Sequence, residues 1–249
     1  MTVNIYNDPI ALGKHAASLT ARLLREAIAE KGSARLLMST GASQFETIKS
    51  LVTENVDWSC VDVFHLDEYI GLLETHPASF RKYIRERFAE LVKPRRVNYV
   101  ITEGDVNNNI RRLTDELRAA PVDAALIGIG ENAHIAFNDP PADFDTQEAY
   151  IVVTLDEKCR NQQLHEGWFG SLAEVPQKAV SMTVSEIMKA KHIISAVPFK
   201  VKAQAVKDTL ENELTPYIPA TMLKRHSDFN LFIDRDSASM IDKDKYINM

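Results

Sequence analysis

Short apolar runs of strand length trade places along this chain with segments whose apolar residues recur every three or four positions. Ala34–Ser39, Cys60–Leu66, Val97–Ile101, Val122–Ile129, Ile151–Leu155, His192–Val197 and Phe229–Asp234 read as strands. Ser43–Thr53, Pro77–Leu91, Val106–Ala119, Val184–Ala190 and Lys200–Leu210 read as helices, and in the second of these Phe80, Tyr83, Ile84, Phe88 and Leu91 share helical spacing. A polar region follows Ile151–Leu155. Helices separating strands in this rhythm predict an α/β fold: a single-domain, doubly wound, mostly parallel sheet with helices on both faces. The 249 residues suffice for one domain spanning 1–249, and no repeat or low-complexity tract divides them. Such a sheet opens its ligand crevice beyond the carboxyl ends of its strands, so candidate chemistry is sought there.

Three strand ends carry suitable residues. The apolar strand ending at Leu66 runs into Asp67, Glu68 and Tyr69. Carboxylates in that position act as bases, as helix caps or as surface charges, and position alone does not choose between them. Tyr69 fits either a substrate hydroxyl or simple packing, and His65 has no assigned direction. The run from Ala124 to Ile129 breaks at Gly128 and Gly130 and delivers His134 between Asn132 and Asp139. A third group that bonds one imidazole nitrogen fixes tautomer and ring direction, which either neighbour can do for a catalytic base. Ala133, Ile135, Ala136 and Phe137 around it are equally compatible with a packed, buried histidine. The third end, Leu36–Gln44, combines a strand, the small residues Thr40, Gly41, Ala42 and Ser43, and a helix start. Backbone N–H groups there can surround an anion, or Ser43 can simply cap the helix. Neither a P-loop Gly-Lys-Ser/Thr nor a Gly-x-Gly-x-x-Gly spacing is present. Lys200, after Val197-Pro-Phe, offers a cation at the same sheet edge, where a lysine is also commonly just solvated.

Charge and cysteines narrow the classes. A formal charge of −6 disfavours nucleic acid and anionic membrane as partners. The first residues show no basic-then-apolar leader and no window is long enough to cross a bilayer, so a cytoplasmic protein is expected. Cys60 and Cys159, far apart and without a histidine cluster, are expected to be packing residues rather than a disulfide or a metal site.

Over nearly the whole chain the sequence resembles the glucosamine-6-phosphate deaminase (isomerase) family, which shares its fold with the 6-phosphogluconolactonases. The resemblance rests on Ser39-Thr-Gly-Ala-Ser43 for the phosphate loop, on Phe64–Leu72 with His76-Pro-Ala-Ser79-Phe for the Asp-Glu-Tyr motif, and on Gly128–Asp139 for the Gly-His-Ile-Ala-Phe-Asn-Glu motif. Val175-Pro176, Met182-Thr183-Val184 and Lys200 fall where later motifs lie. Tyr69 in place of an arginine, and Ile135–Asn138 in place of Thr-Ala-Ser, put the chain nearer the deaminases than the lactonases. The resemblance implies Asp67 as the base that moves a proton from C2 to C1 of the opened sugar, and His134 as the group that opens the ring. It also implies Thr40, Gly41, Ala42 and Ser43 with Lys200 as the phosphate clamp, a sugar phosphate as partner, and no metal or organic cofactor. Glu68 and Arg160 complete the candidate binding set, and self-association into a homo-oligomer is left open.

Three departures accompany it. Asn132 stands where the family has an aspartate, and Asp139 where it has a glutamate; Asp139 or Glu131 is then the expected source of the missing charge. The family's phosphate-binding arginine aligns with His165, with Arg160 five residues earlier. Ala42 and Ala133 replace glycines, and each restricts positive φ. A lactonase-type hydrolase and a catalytically weak sugar-phosphate binder are the competing expectations, and no allosteric site is expected.

Overall fold

A computed structural model describes residues 1–165 and 167–246. Its strands are β1 (Thr2–Tyr6), β2 (Ala34–Met38), β3 (Val61–His65), β4 (Asp67–Tyr69), β5 (Arg96–Asn98), β6 (Ala124–Leu126), β7 (Tyr150–Thr154), β8 (Lys178–Met182), β9 (His192–Val197) and β10 (Phe229–Asp234). Seven form one sheet in the order β1-β10-β9-β6-β2-β3-β5, and every pairing in it is parallel. Side chains alternate across such a strand. Leu36 and Met38 therefore join Val61, Val63, Leu126 and Ile194 in the core on one face, while Leu37 joins Phe64, Ala125, Ile127 and Ile193 on the other. Two buried faces explain why these strands read as near-continuous apolar runs. The doubly wound expectation holds.

Three features differ from the sequence reading. First, β1 and the 23-residue helix Pro9–Lys31 were not anticipated. The helix carries its own signals: the Asp8 side chain accepts from Ala11 N–H (2.8 Å), Pro9 opens the first turn, and Gly32 closes the last at φ 77°. It buries Leu12, Ala16, Leu23, Leu24 and Ala27, and each fully buried leucine contributes roughly 1.5–3 kcal/mol. Second, the segment expected as one helix over Pro77–Leu91 begins at Phe80 and passes through a π turn, Arg85–Ala89, before ending at Val92. Third, Ile151–Leu155 does not extend the main sheet. As β7 it pairs antiparallel with β8, which pairs antiparallel with β4, forming a separate three-stranded sheet. The polar region contains both β8 and the helix Glu157–His165.

Chain order reverses direction between β2 and β6, neighbours in the sheet. The crevice described next lies at this switch point, as expected for an open α/β sheet.

Candidate active site

Four adjacent strand ends and β4 meet in a crevice of about 190 Å³. From β2 come Ser39, Thr40, Gly41, Ala42 and Ser43; from the β3–β4 turn, Leu66 and Asp67; from β6, the loop bearing Glu131 and His134; from β9, Phe199, Val201 and Lys202. Asp67 and His134, separated widely in sequence, thus face the same space.

The loop after β2 is fixed from behind. Ser39 N–H donates to Leu126 O (3.0 Å), Tyr83 hydroxyl donates to Gly41 O (3.0 Å), and the buried Gln44 amide donates to Ala196 O (3.0 Å). Gly41 adopts φ 98°, a conformation that a side chain disfavours, so the positive φ of this turn falls on the glycine. Ala42 lies in the 3-10 turn Ala42–Gln44, so its replacement of a glycine brings no strain. The Ser39 hydroxyl is buried and has no hydrogen-bond partner among the described residues. Hydroxyls and backbone at a turn leading into a helix suit an anionic group.

Asp67 is carried by β4, whose register sets it opposite Ser181 of β8. Its carboxyl is almost wholly buried, and burial, reinforced by the neighbouring Glu68 carboxylate, pushes its pKa up to about 8. Glu68 alternates to the other side of the strand. There it accepts from Ser79 hydroxyl (2.8 Å), Arg81 N–H (2.9 Å), Tyr69 N–H (3.0 Å) and Phe80 N–H (3.3 Å), with Arg81 Nε at 3.4 Å. The expected binding role of Glu68 is therefore corrected: it is a buried anion seated on the first turn of the helix starting at Phe80. Tyr69 is fully buried against Phe80, Phe137 and Phe169, so of its two expected roles the structure shows packing. His65 is likewise buried, accepting from Val100 N–H (3.4 Å), and burial, with Arg81 adding to it, holds its pKa down at about 3.

His134 sits on a loop shaped by two left-handed alanines, Ala133 at φ 62° and Ala136 at φ 52°. Ala133 thus keeps the conformation that a glycine adopts without cost. Gly130 lies directly under the imidazole: a Cβ there would fall 2.1 Å from His134 Cε1. Asn132 Nδ2 donates to Asp139 Oδ1 (3.1 Å), which turns Asn132 Oδ1 toward His134 Nδ1 (2.5 Å). An amide oxygen only accepts, so Nδ1 carries a hydrogen toward Asn132 and Nε2 is the ring nitrogen left without this bond. Asp139 Oδ1 also lies 3.3 Å from Nδ1. Burial raises the Asp139 pKa, but bonds from His134 and Asn132, with His134 charge and the Cys159 thiol, carry it below the usual carboxylate value. Of the two carboxylates expected near the imidazole, Asp139 or Glu131, it is Asp139 that lies within ion-pair distance of it.

Two of the expected phosphate ligands are corrected. Lys200 is solvent-exposed and outside the crevice lining, whereas Lys202 is buried and lines it. Lys200–Lys202 forms a 3-10 turn, in which residues two apart differ in direction by roughly 240°. Arg160 Nη2 donates to Leu172 O (2.5 Å) and Val175 O (3.2 Å) and does not line the crevice. The side chain of His165 lies outside the described positions. Sequence reasoning missed Gln163, Phe199 and Lys202. Gln163 belongs to the polar region and gave no signal; Lys202 was visible as the second lysine of Lys200-Val-Lys202, directly before the apolar Ala203.

A doubly wound sheet with an anion loop, a buried carboxylate and a carboxylate-backed histidine at its switch point defines a class of small-molecule enzyme folds rather than a binding scaffold. Comparison with known proteins then places it. The model for glucosamine-6-phosphate isomerases/6-phosphogluconolactonase matches residues 7–232, and the chain belongs to this family. It is 36% identical over 229 residues to glucosamine-6-phosphate deaminase of Thermoanaerobacter sp. (strain X514), covering 89% of each chain. With glucosamine-6-phosphate deaminase 1 of Bacillus subtilis (strain 168) it shares 34% identity over 90% of this chain and 94% of that one. Among solved structures, a monomeric glucosamine-6-phosphate deaminase superposes with a TM-score of 0.88 at 31% identity, over 97% of this chain and 100% of that one. A 6-phosphogluconolactonase from Shewanella baltica OS155 (TM-score 0.78, 18% identity, 94% and 97% covered) shares the fold.

Proposed function

We propose that this chain converts glucosamine 6-phosphate, or a closely related 2-amino-2-deoxyhexose phosphate, to the ketose 6-phosphate with release of ammonia. The observation that carries the reading is the placement of Asp67 and His134 in one crevice opposite the Ser39–Ser43 loop and Lys202, in a chain 31–36% identical to deaminases. The loop and Lys202 hold the phosphate, remote from the reacting carbons, and that binding orients the sugar for proton transfer. His134 Nε2, the ring nitrogen left free by the Asn132 bond to Nδ1, takes the O1 proton and delivers it to O5, opening the ring; Asp139 stabilises the transient imidazolium. Ionised Asp67 then removes the C2 proton, leaving a C1–C2 enolamine, and returns a proton at C1. The resulting C2 imine takes up water and expels ammonia. Burial makes Asp67 a stronger base than a solvated carboxylate, at the cost that only half of it is ionised at pH near 8 and less below.

The compartment proposed is the cytoplasm. Two free cysteines fit a reducing environment, and among the described residues no helix is long and apolar enough to cross a membrane.

The test couples two assays. Ammonia release with ketose phosphate formation is expected, and loss of a sugar-phosphate lactone without ammonia would replace the reading with a hydrolase. Asp67→Asn is expected to abolish deuterium exchange at C2 while sugar-phosphate affinity stays within about threefold, because the general base and not the clamp is lost. Exchange at the original rate would remove Asp67 from the mechanism.

A further inference from the structure

Phe199 holds a backbone conformation of φ 82° and ψ 144°. Positive φ is a genuine outlier for a bulky residue, and this corner of conformational space belongs almost wholly to glycine. The strain is enforced from both sides. Phe199 N–H donates to Asp234 Oδ2 (3.1 Å) at the end of β10, where buried Asp234 also accepts from Ser237 N–H (2.7 Å). Phe199 O accepts from Lys202 N–H (3.0 Å), closing the turn that brings Lys202 into the crevice. Yet Phe199 as a residue is 38% exposed, and the neighbouring Val201 is 55% exposed; both line the crevice. Folding alone gains little from a strained backbone that leaves an aromatic ring partly in water.

The charge balance of the crevice gives the ring a use. Lys202 is the single lysine or arginine among the described residues that line it. One cation facing a doubly charged phosphate across open water is strongly screened, whereas an apolar cover lowers the local dielectric and strengthens the attraction severalfold. We propose that Phe199 is a specificity-determining residue: its ring, held at the crevice rim by a strained backbone, covers the phosphate end of the bound sugar phosphate and shields its pairing with Lys202 from water. This rests on the crevice reading above, and it accounts for how a clamp with one cation retains a phosphorylated sugar.

Phe199→Gly and Phe199→Ala in the full chain test it, with glucose 6-phosphate as the calorimetric probe and thermal melting as the second readout. Both variants lose the cover, so both are expected to bind glucose 6-phosphate roughly tenfold more weakly than wild type and with a steeper salt dependence. Only glycine relieves the backbone, so Phe199→Gly is expected to melt about 2–6 °C above Phe199→Ala, the reverse of the order at ordinary φ. Both variants binding within twofold of wild type, with unchanged salt dependence, would overturn the cover. Phe199→Ala melting at or above Phe199→Gly would overturn the strain. Failure of the deaminase reading is seen separately, as absence of ammonia release by wild type, and leaves the glucose 6-phosphate comparison intact.

Discussion

The two walls of the crevice are built by opposite means. Asp67 stands on β4, a strand clamped by the β8 ladder, and what is unusual there is electrostatic: a carboxylate withdrawn from water with its pKa near 8. His134 stands on a loop held by two left-handed alanines and a glycine under the ring, and what is unusual there is steric; its ring is oriented by ordinary contacts to Asn132 and Asp139. Comparing them separates two ways of preparing a proton-transfer group. One tunes the acidity and leaves the backbone regular, while the other strains the backbone to fix direction.

Substitutions on the two walls are therefore expected to fail differently. The largest effect is expected from Gly130→Ala, because the added Cβ occupies the imidazole position itself. A displacement of an ångström or more costs on the order of 10² or more in rate, so kcat should fall at least that far while glucose 6-phosphate affinity, followed by calorimetry, holds. A kcat near wild type would show that the ring has room to move. The Asp67 wall should respond to pH. Its carboxyl is raised from 3.8 to about 8, so kcat/KM is expected to climb about tenfold per unit up to pH near 8 and to flatten above. The stability sign is the reverse: the folded state binds more protons than the unfolded between pH about 4 and 8, so burying Asp67 destabilises progressively as pH rises through that window. Asp67→Asn should therefore raise Tm at pH 9 and leave it nearly unchanged at pH 4, which melting at the two pH values checks.

Smaller and sharper is Ser181→Ala. Ser181 sits opposite Asp67 in the ladder, and its hydroxyl accepts from Phe137 N–H (3.0 Å) in the histidine loop. Removing it strands a buried donor at a cost of about 1–3 kcal/mol, so Tm should fall by several degrees and kcat severalfold. A loss confined to Tm would mean that the loop does not depend on this contact. The least effect is expected from Ala136→Gly. At φ 52° the glycine is the better fit, so Tm should stay level or rise by a degree or two, against the usual penalty for this exchange.

Much of this was legible in the sequence, for reasons that also mark the limit. Doubly buried strands such as β2, β9 and β10 announce themselves as apolar runs, and the residues following β2, β3 and β6 proved to line the crevice. The N-terminal helix has its signals in Asp8, Pro9 and Gly32, whereas β8 lies in a polar stretch without period. Glu68 and Lys200 were misplaced because side-chain direction depends on strand parity and on the pitch of a 3-10 turn, neither of which composition specifies. The strain at Phe199 has no sequence signature at all, since any residue type can be written at that position and only the backbone reveals the cost.

One strand touches both walls. β8 pairs with Asp67 through Ser181 and holds the histidine loop through that hydroxyl and through Met182 O, which accepts from Asn138 Nδ2 at 2.8 Å. Both proton-transfer groups are thus positioned from a common ruler. A substitution that shifts β8 therefore displaces the carboxylate strand and the histidine loop at once, whereas one in either wall alone leaves the other where it was.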